Sequence, residues 1–338
     1  MNKFLLRAAV FAMFFSLLPI DVEAKDSKGV LFHPAVVSQV AKSQVLPIDK
    51  LVGNFDNKIE LVFSDIDGTI MPHNKENPLA DAMPSAKKAT IKLREAKIPL
   101  ILATGRIYPE AKDLAQRIGV KGSYIISQQG SEIRDSKGKL IYQDGIKSCD
   151  FKEITVFLEA FKKQNNLDFK IIPAIDGHFY SIEEFELPYI WSKVRRVNSF
   201  ADFNDNVSPS SICIYEKNPE KIKFIQANLK KRFPAYHIDI STHCFCDVTS
   251  ATATKGNAIK KMAQLLGVDL KNCVTFGDAE NDISMLSQLK SSGGLAVAVG
   301  NAMPSVKESA NFVTLPVTEG GFAKGIDMIL ENNQILSK

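Results

Sequence analysis

No run of basic residues, no alternation of aromatic with basic side chains, no internal repeat and no low-complexity tract occurs in the 338 residues. The first two absences remove the signature of a nucleic-acid groove, and 42 basic against 38 acidic residues, net +4, read as a solvated surface. The last two leave an ordinary globular chain. Its 45% hydrophobic content supports a well-buried core, in one large domain or two of ordinary size.

An apolar run able to cross a bilayer comfortably, ~20 residues, is lacking as well. The nearest approach, Ala8 to Ile20, follows Lys3 and Arg7 and precedes Val22-Glu23-Ala24. That is the order of a secretory signal cleaved after Ala24. Residues 1–24 are therefore expected to send the chain to the periplasm or the medium, with no stable membrane association once they are removed; an intact start would leave it in the cytoplasm.

Cysteine is scarce and odd in number: five cannot all pair. A strand over "THCFCDVT" would put Cys244 and Cys246 on one face, and a bridge from Cys213 to one of them needs neighbouring strands. Buried free thiols are the expectation for Cys213, Cys244 and Cys246. His243 beside them has no second ligand cluster at zinc spacing.

What is present is an alternation of apolar runs and helical patterns. Residues 25–57 read as an N-terminal extension. The strand "LVFS", a helix from Ser85 with Ala86, Ala89, Leu93 and Ala96 inward, the strand in "IPLILATGR", a helix from Pro109 to Ile118 and a strand from Ser123 to Ser127 follow. Continuous apolar strands of this kind belong to a parallel sheet covered on both faces. From about Gly145 the pattern changes to a helix over Phe151–Gln164, a hairpin turned at Asp176-Gly177, a strand over Ser211–Tyr215, a helix over Pro219–Arg232 and two short strands at His237–Ser241 and Cys244–Val248. The alternation resumes with a helix over Lys255–Leu266, with Ala258, Met262 and Leu265 inward. An α/β domain in two parts, 58–145 and 250–338, interrupted by an α+β insertion over 146–249, is expected.

Ligands of such sheets bind beyond the carboxyl ends of the strands, where four motifs fall: Asp65-Ile66-Asp67-Gly68-Thr69, Thr104-Gly105-Arg106, Lys255 at a helix start, and Gly277-Asp278 with Asn281 and Asp282. Carboxylates converging there repel unless a divalent cation and a lysine neutralise them. Magnesium suits such hard oxygen ligands. Strand alternation turns Asp65 and Asp67 to one side, so that one can attack phosphorus while the other gives a proton to the leaving alkoxide and takes one from water. Gly68 permits a sharp turn, Thr104 offers a hydroxyl to a phosphate oxygen, and Lys255 opposes the developing negative charge.

The motifs "FSDIDGT", "LATGR", "TKGNAI", "FGDAEND" and "VGNAMPSVKESANFVT" resemble, in order, those of the haloacid dehalogenase superfamily of phosphohydrolases. The similarity extends to the branch with a large cap inserted between the second and third motifs, the Cof-type or subclass IIB sugar phosphatases. It implies a Rossmann-like parallel-sheet core with an α+β cap, Asp65 as nucleophile and Asp67 as acid and base. It further implies Thr104, Gly105 and Asn281 as phosphate contacts, with Lys255 as stabilising cation. Magnesium on Asp65, the Asp67 carbonyl and Asp278, with Asp282 orienting the site, completes what the resemblance implies. Gln129-Gly130 stands where relatives commonly show Asn-Gly.

Arg106 could grip substrate or pair with an acidic neighbour. His178, Tyr180 and Trp191 in the insertion read as core aromatics before they read as specificity contacts. The expected activity is magnesium-dependent hydrolysis of a small phosphate monoester, with a sugar phosphate the leading candidate. A dehalogenase has no use for Asp67, since halide leaves without a proton. A phosphomutase differs only in acceptor, and a non-catalytic phosphate-ester binding protein would not need the full set of Asp65, Asp67, Lys255 and Asp278.

Overall fold

The computed structural model describes residues 45–72, 84–184, 193–242 and 244–338; the expected signal segment, Trp191 and His243 lie outside these. In chain order, β1 (Leu46–Pro47), β2 (Leu61–Ser64), α1 (Pro84–Glu95), β3 (Leu100–Ala103), α2 (Tyr108–Arg117), β4 (Ile125–Ser127), β5 (Glu132–Arg134) and β6 (Leu140–Gln143) come first. A second group consists of α3 (Ser148–Gln164), β7 (Lys170–Ile175), β8 (His178–Ser181), β9 (Arg195–Arg196), β10 (Ser211–Tyr215), α4 (Pro219–Arg232), β11 (Tyr236–Thr242) and β12 (Phe245–Ser250). The last contains α5 (Lys255–Leu266), β13 (Cys273–Gly277), α6 (Ile283–Ser291), β14 (Leu295–Ala298), α7 (Pro304–Glu308), β15 (Phe312–Val313) and α8 (Gly321–Ile335).

The first and last groups share one nine-stranded sheet in the order β1-β15-β14-β13-β2-β3-β4-β5-β6. It is parallel from β1 to β4, and β5 and β6 add an antiparallel edge. Strand alternation divides its side chains between two layers. Val62, Leu100, Leu102, Val274 and Val297 pack under α1, α2 and α8, whereas Leu61, Phe63, Ile101 and Ala103 meet α5 and α6. Helices on both faces explain why β2, β3, β13 and β14 are buried along their whole length.

The middle group builds a separate six-stranded sheet, β11-β12-β10-β7-β8-β9. One face buries Ile171, Ile212, Ile214, Ile238 and Val248 against α3 and α4. The other carries Ile172, Ala174, Phe179, Cys213 and Phe245, and Ile107, which follows β3 of the large sheet, packs into that cluster.

Several expectations are corrected. Leu265 is 47% exposed, because the inward stripe of α5 runs through Ala258, Ile259, Met262 and Ala263 and stops before the last turn. Ala96 falls beyond α1, where Lys97 turns left-handed at φ 58°. Cys244 precedes β12 and shares the cluster of Cys213, whereas Cys246 faces the opposite side; none of the five cysteines is in a disulfide, and Cys149 is exposed. The stretch expected as an extension supplies β1 and the core side chains Ile48 and Leu51. Among the described residues no helix is long and apolar enough to cross a membrane.

Candidate active site

The central strands β13, β2 and β3 are neighbours, and each ends in a polar loop at the same edge. The Asp65 N–H continues the ladder to the Phe276 carbonyl (3.0 Å), so the carboxylate position is set by the sheet rather than by a flexible loop. Next, the chain wraps on itself: the Ile70 and Met71 N–H groups donate to the Ile66 carbonyl (2.9 Å each), with Gly68 left-handed at φ 85°. Asn301 donates from Nδ2 to the Gly68 carbonyl (2.8 Å) and holds the turn from across the sheet edge.

Lys255 is the first residue of α5, whose N-cap Thr254 accepts from the Asn257 N–H (3.1 Å). Its side chain is fully buried and donates from Nζ to Asp65 Oδ1 (2.6 Å) and Asp282 Oδ1 (2.7 Å). The second oxygen of Asp282 accepts from the N–H groups of Asp278 (2.9 Å) and Ala279 (3.0 Å). Asp278 in turn accepts from the Thr69 hydroxyl (2.8 Å). Asp282 thus ties the lysine to the backbone that presents Asp278.

Asp67 is gripped at both oxygens by Arg106, from Nη2 (2.6 Å) and Nε (2.7 Å), and Glu110 lies 3.6 Å from the same guanidinium. Of the two roles open to Arg106, pairing with an acidic neighbour is the one seen. The Thr104 hydroxyl oxygen accepts from the Arg106 N–H (3.2 Å), and Asn281 Nδ2 donates to Gln129 Oε1 (3.0 Å). A cavity of about 310 Å³ is lined by Asp65, Asp67, Thr104, Gly105, Arg106 and Asn281, together with Ile107, Glu110, Phe179 and Ala279. The structure therefore brings the expected side chains to one cleft, with Lys255, Asp278 and Asp282 beneath it.

The sequence model of the haloacid dehalogenase-like hydrolases matches residues 62–326. The chain belongs to this family. A phosphoglycolate phosphatase of Methanosarcina acetivorans is 27% identical over 281 residues, 82% of this chain and 100% of that protein. A solved Thermotoga maritima protein superposes with a TM-score of 0.69 at 19% identity, covering 80% of this chain and 97% of its own. A solved subclass IIB sugar phosphatase of the same superfamily superposes at 0.62 with 23% identity, covering 79% and 98%. These two likenesses speak for the fold, a Cof-type haloacid dehalogenase architecture.

In this hydrolase Asp65, Asp278 and Asp282 each offer an oxygen within 4.8 Å of the others, and all are buried. Lys255 supplies one positive charge against these carboxylates, which leaves a surplus of negative charge. The Asp65 carboxyl is pushed up to about 8, chiefly by burial and with help from Asp282 and Asp67, against the downward pull of Lys255. Burial works to lower Lys255, but Asp282 and Asp65 overcome it and its pKa is raised. Such a donor set, oxygen-rich and short of positive charge, fits a hard divalent cation.

The structure also shows contacts that the sequence did not assign: Thr69, within the first motif, donates to Asp278, and Gln129 accepts from Asn281, while Glu110 and Phe179, which no motif singled out, line the cavity wall. Phe179 lies between the two aromatics weighed in the sequence. His178 and Tyr180 instead meet Arg195, at 3.0 Å and 3.2 Å, and do not line the cavity.

Proposed function

We propose that this hydrolase is a magnesium-dependent phosphatase of a small phosphorylated metabolite, with a sugar phosphate as leading candidate, acting through an aspartyl-phosphate on Asp65. The phosphatase class is supported by the family and by relatives that carry that name. The carrying observation is the buried Asp65–Lys255–Asp282 bridge beneath an open cavity. Asp65, Asp278 and the Asp67 carbonyl would hold the ion, Asp282 would orient them, and the ion would offset negative charge on the transferring phosphoryl group.

Lys255 engages Asp65 Oδ1, so attack on phosphorus is assigned to Oδ2. The new Asp65–phosphorus bond forms as the ester oxygen departs, and that oxygen takes a proton from Asp67. Since Arg106 binds both Asp67 oxygens, the guanidinium must let go of one; an incoming phosphate group competes for it and supplies the cause. Water, giving its proton back to Asp67, then attacks phosphorus and releases phosphate and free Asp65. Thr104, Gly105 and Asn281 would orient the phosphoryl oxygens.

The six-stranded insertion, taken as residues 146–249, would act as a cap limiting water until the second step. The segment 1–24 supports export to the periplasm or the medium. The test is phosphate release from a panel of monoesters with magnesium or chelator, for wild type and Asp65→Asn. Magnesium-dependent release lowered at least ~1000-fold in the variant is expected. Transfer to an added alcohol would favour a phosphomutase, and binding without turnover a phosphate-ester binding protein.

A further inference from the structure

Two successive residues that carry a Cβ are left-handed in the turn between β4 and β5: Gln128 at φ 52° and Gln129 at φ 59°. Among the described residues the other non-glycine cases, Lys97, Asn166 and Asp176, stand singly and exposed. Glutamine has no local preference for this conformation, so its surroundings must enforce it, and such strain collects at functional sites.

The contacts that enforce it converge on the cleft. The Gln128 N–H donates to the Arg106 carbonyl (2.9 Å) and the Gln129 N–H to the Thr104 carbonyl (3.1 Å), so the turn grips the loop after β3 from behind. On the side of the insertion, Gln128 Oε1 accepts from the Ser211 hydroxyl at the start of β10 (2.7 Å). The Gln129 carboxamide lies over Gly105, where an added Cβ would fall 2.5 Å from Nε2, and its Oε1 accepts from Asn281 Nδ2 (3.0 Å).

Gln129 does not line the cavity, whereas Gly105 and Asn281 do. Asn281 is exposed, and among the described residues its side chain has no other hydrogen bond, so nothing else fixes its rotation. A carboxamide nitrogen carries two N–H groups. Gln129 takes one, which leaves the other for a phosphoryl oxygen.

We propose that Gln129 is a positioning residue for phosphoryl transfer, holding the Asn281 carboxamide at a set distance from the Thr104–Gly105 backbone so that both meet the phosphoryl oxygens without rearrangement. The inference rests on the phosphatase reading and deepens it. Gln129→Met keeps the length of the side chain and removes the acceptor. With p-nitrophenyl phosphate and magnesium its kcat/KM is expected to fall about three- to tenfold, the worth of one neutral hydrogen bond. If Gln129 acts through Asn281, the double variant with Asn281→Ala loses no more than Asn281→Ala alone. Gln129→Gly is the second test: glycine takes up φ 59° without penalty but cannot reach Asn281, so Tm should hold or rise while the rate falls.

Calorimetric binding of inorganic phosphate with magnesium repeats the cycle without turnover. If wild type releases no p-nitrophenol, the phosphatase reading fails, and the phosphate affinities still decide the role of Gln129. Weaker binding in Gln129→Met, absorbed in the double variant, supports the proposal. Additive losses overturn it, as do wild-type rate and affinity in Gln129→Gly, or a Tm that falls together with the rate and marks the turn as a structural support. Wild type that binds no phosphate overturns both readings.

Discussion

A lysine with none of its side chain exposed persists only where carboxylates replace the water it gave up. Lys255 meets that condition twice, at Asp65 and Asp282. Lys255→Met keeps the length and removes the charge, leaving two buried carboxylates without their counter-ion. Stability is expected to drop by about 3–5 kcal/mol in urea denaturation, and phosphate release at least ~100-fold. A variant with near wild-type stability and rate would show the bridge to be incidental. Lys255, Asp65, Asp67, Thr104 and Asp278 were readable in the sequence because each sits at a strand end or helix start, where local pattern fixes position. Glu110 was not, because an acid one turn from an arginine looks like any solvated helix pair. Nor was the bond between Asn281 and Gln129, partners 152 residues apart that only the closed sheet brings together.

The elements hold these residues through close backbone approach. Gly130, in the turn between β4 and β5, has φ 103°, and a Cβ there would fall 2.3 Å from the Thr254 carbonyl oxygen, at the cap of the helix that carries Lys255. Gly130→Ala must push that helix start away, and displacements near 1 Å in a preorganised site lower rates by up to ~100-fold. Loss of kcat of at least about tenfold is expected with every catalytic group retained. Gly122→Ala is the control: it is also left-handed, at φ 68°, but has nothing within 4 Å, so its activity should be kept. Activity equally impaired in both would point to backbone strain rather than to the contact with α5. Helices with clear end signals were legible residue by residue: α4 begins after Asn218 with Pro219, and α5 after Thr254. The β5–β6 hairpin escaped notice because its buried face includes the ion pair of Glu132 and Arg134, which reads as a polar loop. The two-residue β1 is too short to show any period.

For the whole molecule, the order of strand and helix patterns was enough to read a parallel sheet interrupted by an insertion. How the two sheets meet was not legible, since it depends on single side chains such as Ile107 entering the other cluster and Asp176 reaching Arg134. One consequence of bringing the strand ends together concerns the stability of the entire fold. Without a cation, Asp65 is raised from 3.8 to about 8, so the folded protein keeps a proton that the unfolded chain releases. A carboxyl raised in this way contributes stability that is complete below its unfolded pKa and is lost as pH rises through its folded one. In chelator, Tm is therefore expected to fall by several degrees between about pH 5 and pH 8. A divalent cation binds the ionised carboxylates and competes with that proton, so the gain in Tm from added magnesium should grow over the same interval. Thermal unfolding at about pH 5, 6.5 and 8, with magnesium and with chelator, measures both trends, and Asp65→Asn should flatten the chelator series. A magnesium gain that stays constant across pH, or one that survives undiminished in Asp65→Asn, would place the cation away from Asp65 and remove the charge balance on which the nucleophile depends.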